Sequence, residues 1–344
     1  MAKVLVTGGT GYIGSHTVVE LQEEGMEVVI VDNLSNSERE VLDGIASITG
    51  TKPHFEEIDL RDRKATFGVF EKYPDIHAIV HFAALKAVGE SVEKPLAYYE
   101  NNLLSLIYLL EAMEQFHIDH MVFSSSCTVY GEPDKLPVSE NAPLKKANSP
   151  YGNTKQICED ILRDSIKSTP GKGVISLRYF NPIGAHPSAS IGELPLGIPN
   201  NLVPFITQTA AGLRDCLSVF GNDYNTPDGS AIRDYINVVD LAKAHVTAIR
   251  RLLDKKQLSA FEVFNLGTGR GLSVLEIIHA FEESTGQKLN YRIVGRREGD
   301  IEKVFADTSY ANSELGWKAE KGIEETLESA WRWEMNLRSK NNSR

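Results

Sequence analysis

The sequence predicts a doubly wound α/β fold, in which a parallel, Rossmann-like sheet is covered by helices on both faces and carries a smaller, discontinuous α/β domain. Three observations predict it. Short β-branched runs alternate with helix-like segments through the first half of the chain. A glycine-rich turn joins the first run to the first helix. The runs are almost continuously apolar, as strands are when both sheet faces are covered.

Lys3–Thr7 reads as the first strand, Ile13–Glu24 as a helix closed by Gly25, and Glu27–Asp32 as the second strand. His54–Ile58, Ile76–Ala83, His120–Ser125 and Val174–Tyr179 extend the series, with gaps long enough for helical crossovers. The longest, Pro95–His117, puts Pro95 in a first turn and Leu103, Ile107 and Leu110 at helical spacing. Past Tyr179 the pattern changes. Asn181–Pro204 is crowded with proline, glycine and asparagine and predicts loops. A helix at Asp240–Leu253 and a strand at Phe261–Leu266 then rejoin the sheet. The expected division is 1–180 plus about 235–267 in a dinucleotide-binding domain, and about 181–234 plus 268–335 in a substrate domain. Residues 336–344 form a polar tail, with fraying expected beyond Trp333.

The totals narrow the function. A chain of 344 residues, 42% apolar and 24% charged, has ample core and no sign of wholesale disorder. A net charge of -11 argues against general nucleic-acid binding, which needs basic surface. It leaves room for an anionic small molecule held by local arginines. The three cysteines, Cys127, Cys158 and Cys216, have neither metal-ligand spacing nor a disulfide pattern, which indicates a reducing compartment. No apolar stretch approaches a membrane span, and a strand starting at Lys3 leaves no space for a signal peptide. A cytoplasmic protein with no membrane partner is expected.

Two residue groups carry chemistry. The turn Thr7-Gly8-Gly9-Thr10-Gly11-Tyr12-Ile13-Gly14 follows a strand and opens a helix. Gly8, Gly11 and Gly14 permit a tight turn, and the helix N-terminus offers N–H groups to a pyrophosphate. Asp32, ending the second strand, suits the adenosine ribose hydroxyls and would repel the extra phosphate of NADP, so NAD is the expected cofactor. Asp59 follows the third strand and is a candidate to face adenine. Lys86 and Asn101 are candidates to reach the cofactor ribose or phosphates, although singly they read as a solvated lysine and a polar helix residue. The second group is Tyr151 and Lys155, four apart on one helix face, with Ser124, Ser125 and Ser126 upstream. A fixed ammonium beside a phenol favours the phenolate, and a serine hydroxyl shares the proton. Beside a nicotinamide, such a trio oxidises an alcohol.

The glycine turn with Tyr-x-x-x-Lys is the pattern of the extended short-chain dehydrogenase/reductases. Longer runs narrow the resemblance: His81–Ser91, Ser124–Gly131, Arg178–Pro182, Gly197–Leu202 and Arg296–Asp300. In this order, from Lys3 to about Trp333, they resemble the UDP-glucose 4-epimerase family. The resemblance implies interconversion of UDP-galactose and UDP-glucose through a 4-keto sugar, with NAD kept bound, and a homodimer with Pro95–His117 as a contact. It implies Tyr151 as base, Ser126 as catalytic hydroxyl and Lys155 as holder of the nicotinamide ribose. It adds Tyr12, Ile13, Asn33, Leu60, Phe82, Ala83, Ala84 and Phe180 to the NAD contacts. For the UDP-hexose it points to Asn181, Asn200, Asn201, Arg233, Arg297 and Asp300, the two arginines suiting a diphosphate. Taken alone, Arg233 reads as an ion pair with its neighbour Asp234. Val304 stands where many bacterial relatives carry tyrosine, which implies room for an N-acetyl group at sugar carbon 2. Cys127, where relatives often have alanine, reads as packing. A nucleotide-sugar 4,6-dehydratase shares the fold but needs an Asp-Glu pair where this chain has Cys127 and Thr128. A non-catalytic NAD-binding regulator is the other alternative.

Overall fold

The computed structural model describes residues 1–167, 169, 171–297 and 300–342, the side chains of 340–342 excepted. The first half supplies β1 (Lys3–Thr7), α1 (Tyr12–Glu23), β2 (Glu27–Asp32), α2 (Val41–Thr49), β3 (His54–Glu57), α3 (Arg63–Lys72), β4 (Ile76–His81), α4 (Val88–Glu93), α5 (Pro95–Gln115), β5 (His120–Ser126), α6 (Pro150–Lys167) and β6 (Gly173–Tyr179). The second supplies β7 (Asn181–Ile183), α7 (Leu202–Ala210), β8 (Leu217–Phe220), β9 (Ile232–Asn237), α8 (Val238–Leu253), β10 (Phe261–Leu266), β11 (Gly271–Ser273), α9 (Val274–Thr285), β12 (Tyr291–Val294), β13 (Lys303–Val304) and α10 (Ile323–Asn342).

The large sheet has seven parallel strands in the order β10-β6-β5-β4-β1-β2-β3. Its apolar runs divide by alternation. Val4 and Val6 of β1 and Val80 of β4 join Val18 of α1 and Leu241 of α8 on one face. Leu5 and Ile79 join Phe70, Leu106 and Leu162, from α3, α5 and α6, on the other. This double burial is why the strands read as unbroken hydrophobic stretches. Strand order reverses between β1 and β4, which opens a crevice beyond their C-terminal ends.

β9 anchors a smaller sheet, antiparallel to β11 and parallel to β13 and β7, while β8 and β12 pair separately. The chain crosses from β9 in the small sheet to α8 on the large one at Asn237–Val238. The helix starts two residues before Asp240 because Asn237 caps it, its Oδ1 accepting from Val239 N at 2.8 Å. The Asn181–Pro204 stretch is mostly turns, but it opens as β7 and closes in α7. The tail expected to fray beyond Trp333 instead continues α10 to Asn342. Tertiary contacts hold it: Trp333 Nε1 donates to Glu193 O (2.8 Å) and Asn336 Nδ2 to Ala189 O (2.5 Å). Residues 343–344 of that tail lie outside the described residues. Among the described residues, no helix is long and apolar enough to cross a membrane.

Candidate active site

The glycine turn fills the crevice floor. Gly8 has φ +68°, and a Cβ there would stand 2.8 Å from Ala83 N, so β1 and the residues after β4 meet backbone to backbone. At Gly14 a Cβ would lie 2.1 Å from Gly8 O. No side chain caps α1 at Gly11 and its first turn, which holds Tyr12 and Ile13, has no acidic residue. That leaves an uncapped, electropositive helix end.

Around it stand the other residues expected at a dinucleotide. Asp32 is buried, its Oδ1 accepting from Leu34 N (3.0 Å) and Ser37 Oγ (3.3 Å) and its Oδ2 from Thr10 N (3.2 Å). Asn33 Nδ2 reaches Asp59 Oδ2 at 3.4 Å, so the β2 and β3 ends converge. The Asp59 carboxylate also accepts from Arg61, which holds it below its usual range. Leu60 is buried beside it. Phe82 lies against His245, ring centroids 4.7 Å apart, and Ala83 and Ala84 follow it, half-buried. Lys86 Nζ stands 5.9 Å from the Tyr12 ring centre and 3.9 Å from Glu193 Oε1. Asn101 Nδ2 donates to Asn102 Oδ1 (3.0 Å).

Asn102 was not foreseen. Its side chain bonds Leu85 N and O (2.9 and 3.0 Å) and donates to Thr154 Oγ1 (3.0 Å), whose hydroxyl donates to Tyr151 O (2.7 Å). The loop after β4 is thereby tied to the helix that carries the candidate base. An asparagine pair inside an apolar helix was the available signal.

Tyr151 and Lys155 project from the first turns of α6 toward the end of β5, where Ser126 stands. Lys155 is 3% exposed and donates from Nζ to Ser124 O at 2.6 Å, 4.8 Å from the Phe123 ring centre. Burial pulls its pKa down to about 8. Ser126 Oγ accepts from Thr128 N (3.2 Å), which leaves its own proton for the phenol. One expectation is corrected here. In the protein alone the Tyr151 phenol is pushed up to about 12 rather than lowered. Burial is the main cause; the Ser126 hydroxyl pulls down, and Cys127 and Cys158 push up. The Lys155 ammonium is engaged by the Ser124 carbonyl, and desolvating a phenolate outweighs what one hydroxyl offers.

Across the crevice, Asn181 opens β7, Asn200 is exposed and Asn201 precedes α7, donating to Glu193 Oε1 at 2.5 Å. Asp300 lies between two arginines. Arg297 donates to it from Nε (3.2 Å) and Nη2 (2.8 Å), and Arg233 Nη2 stands 3.7 Å away. Glu298 and Gly299 of that run lie outside the described residues. Asp234 does not pair with Arg233. It faces the other way and accepts from Thr268 N, Gly269 N and Ala306 N. Val304 pairs with Arg233 in register and is buried with Phe180, Val129 and Tyr130, against Cys127. The cysteine next to Ser126 is therefore packing, its thiol pushed up to about 12 mainly by burial.

Known proteins are similar to this chain along nearly its whole length. A family profile described as GDP-mannose 4,6 dehydratase matches residues 5–330. A UDP-glucose 4-epimerase of Bacillus subtilis is 53% identical over 331 residues, 96% of each chain. A crystal structure of UDP-glucose 4-epimerase from Stenotrophomonas maltophila, with bound NAD and formylated UDP-arabinopyranose, superposes with a TM-score of 0.95 at 48% identity, covering 99% of this chain and 100% of that one. One from Bifidobacterium longum, in complex with NAD+ and UDP, gives 0.93 at 45% identity, covering 97% and 98%. The chain belongs to the UDP-glucose 4-epimerase family of the extended short-chain dehydrogenase/reductases.

Proposed function

We propose that this chain is an NAD-dependent epimerase that interconverts UDP-galactose and UDP-glucose through a transient 4-keto sugar. The observation that carries the reading is the convergence of Ser126, Tyr151 and Lys155 at the end of β5, one strand removed from β1 and its glycine turn. The residues present fit NAD. An uncapped α1 behind Gly8, Gly11 and Gly14 suits the pyrophosphate, and buried Asp32 suits a ribose. Asn33, Asp59, Leu60, Phe82, Ala83, Ala84, Lys86, Asn101 and Phe180 complete that side. NAD, when bound, takes up and returns the hydride of sugar carbon 4 and brings a positive charge to the site.

Tyr151 Oη accepts the proton of the 4-hydroxyl and gives it back to the opposite epimer. Ser126 shares that proton, and Lys155 orients the ribose and contributes charge. The high pKa of Tyr151 in the protein alone has a use in this scheme: the phenol ionises readily only when a second cation stands beside it. On the substrate side, Arg233 and Arg297 grip the diphosphate, Asp300 the uridine ribose, and Asn181, Asn200 and Asn201 the remaining polar groups. Val304 leaves space for an N-acetyl group, so UDP-N-acetylhexosamines are secondary substrates.

The dehydratase reading is disfavoured, despite the family profile's description, because the turn after Ser126 offers the half-buried Cys127 thiol and the Thr128 hydroxyl, not carboxylates. A non-catalytic regulator would not need Ser126, Tyr151 and Lys155 together. Leu104, Ile107 and Tyr108 form a half-buried outer stripe on α5 that suits a homodimer contact, readable by light scattering with Ile107→Glu. Free Cys127, Cys158 and Cys216 accord with the cytoplasm.

The test is to supply UDP-galactose deuterated at sugar carbon 4. Appearance of UDP-glucose that keeps the deuterium supports the scheme. Loss of the label to water, or no UDP-glucose, overturns it.

A further inference from the structure

Glu159 stands one turn beyond Lys155 on α6, its side chain wholly buried. Five donors meet its carboxylate. Ser125 Oγ (2.7 Å), Ser176 Oγ (3.0 Å) and Arg178 Nε (2.8 Å) reach Oε1. Arg178 Nη2 (2.5 Å) and Arg163 Nη2 (2.8 Å) reach Oε2. Arg178, itself 2% exposed, also donates from Nη1 to Tyr130 Oη at 2.9 Å. Tyr130 Oη then donates to Asn265 Oδ1 at 2.7 Å.

Ser125 and Tyr130 flank Ser126 in the chain. One buried ion pair therefore grips the segment carrying the candidate hydroxyl on both sides. Among the described residues, the Ser126 oxygen accepts from Thr128 N, two residues on, and its hydroxyl faces the Tyr151 phenol, so no charged group holds it directly. Stability alone is a poor reason for such a pair, because well-packed apolar side chains serve a core as well or better. Fixing a strand end against a helix is a reason, because proton transfer is sensitive to misplacement on the ångström scale.

We propose that Glu159 and Arg178 are positioning residues for the epimerisation. Through Ser125 and Tyr130 they set where Ser126 Oγ stands relative to Tyr151 Oη. The proposal rests on the reading of Ser126 as the catalytic hydroxyl.

Glu159→Gln leaves a buried guanidinium uncompensated, a change that puts folding itself at risk. The test therefore uses Ser125→Ala and Tyr130→Phe, which keep the ion pair and cut its two links. Each lowers kcat about tenfold while KM for UDP-galactose stays within about twofold. In a Ser126→Ala background neither lowers kcat further, which a merely structural role would not reproduce. Unchanged kcat in both single variants, or an undiminished loss in the Ser126→Ala background, overturns the proposal. Full turnover by Ser126→Ala itself would remove the reading beneath the proposal and the proposal with it, an outcome distinct from the other two.

Discussion

The two sides of the crevice are held on opposite terms. Around Tyr151 the polar groups are bonded to buried parts of the large-sheet half: Lys155 to Ser124, Thr154 to Asn102, Ser125 to Glu159. Around Asp300 one partner, Arg297, is a surface charge and the other, Arg233, is half-buried. Arg297 is 58% exposed along its side chain and bonds the same carboxylate that Arg233 approaches. The difference teaches which part is finished before a ligand arrives. On the proposed reading, the catalytic side has its geometry fixed in advance and gains from binding only the positive charge that NAD brings to Tyr151. The nucleotide side exchanges internal ion pairs for a diphosphate, so its contribution appears in affinity.

Substitutions sharpen or break that contrast. The largest effect is expected from Tyr151→Phe, which removes the proposed base and should lower kcat by about 10²–10⁴-fold with little change in KM. Steady-state kinetics with UDP-galactose check it. Retained turnover would show that the fixed side is not the reacting one.

Lys155→Met is also expected to abolish most turnover, and its stability effect has a defined sign. Burial depresses the Lys155 pKa from 10.5 to about 8, so the folded state disfavours the ammonium. That cost is fully present below pH 8 and fades as pH rises toward 10.5, where the unfolded chain also loses the proton. It is on the order of 3 kcal/mol, offset in part by the lost bond to Ser124 O. The variant is therefore expected to melt no lower than the parent at pH 7, with its advantage shrinking above pH 8. A melting temperature several degrees lower at pH 7 contradicts the account. Tyr151 works in the opposite sense: raised from 10.0 to about 12, it withdraws stability as pH climbs through that interval.

Arg297→Ala tests the other side. Loss of a charge-assisted bond to phosphate is expected to raise KM about tenfold with kcat nearly intact. A fall in kcat with unchanged KM would erase the contrast between the two sides. The smallest effect belongs to Val304→Tyr, which should lower the ratio of N-acetylated to plain UDP-hexose turnover by about 10-fold. An unchanged ratio would remove Val304 from the pocket wall.

Much of this was legible in the sequence because it is local. The strands are apolar runs, the glycine turn is contiguous, and Tyr151 and Lys155 share one helix face. What was not legible depends on surroundings that spacing does not record. Lys155 lies close to Tyr151 in sequence, yet its ammonium is spent on Ser124 O and burial sets the phenol's direction. Arg233 and Asp234 are neighbours in β9, so strand alternation sends them to opposite faces, and Arg233 finds Asp300 from a distant loop. Glu159 and Asn102 are ordinary polar residues until the fold places Ser125, Arg178, Leu85 and Thr154 around them. α10 outlasts its polar sequence because Trp333 and Asn336 anchor it to the 189–193 loop.

The most direct measurement mixes the purified chain, supplied with NAD, with UDP-galactose and follows the sugar nucleotides by chromatography. The account predicts that UDP-glucose accumulates to equilibrium with the parent chain and that Tyr151→Phe, folded and NAD-bound, forms almost none. An unaltered UDP-galactose pool with the NAD-loaded parent, or equal conversion by Tyr151→Phe, would contradict it.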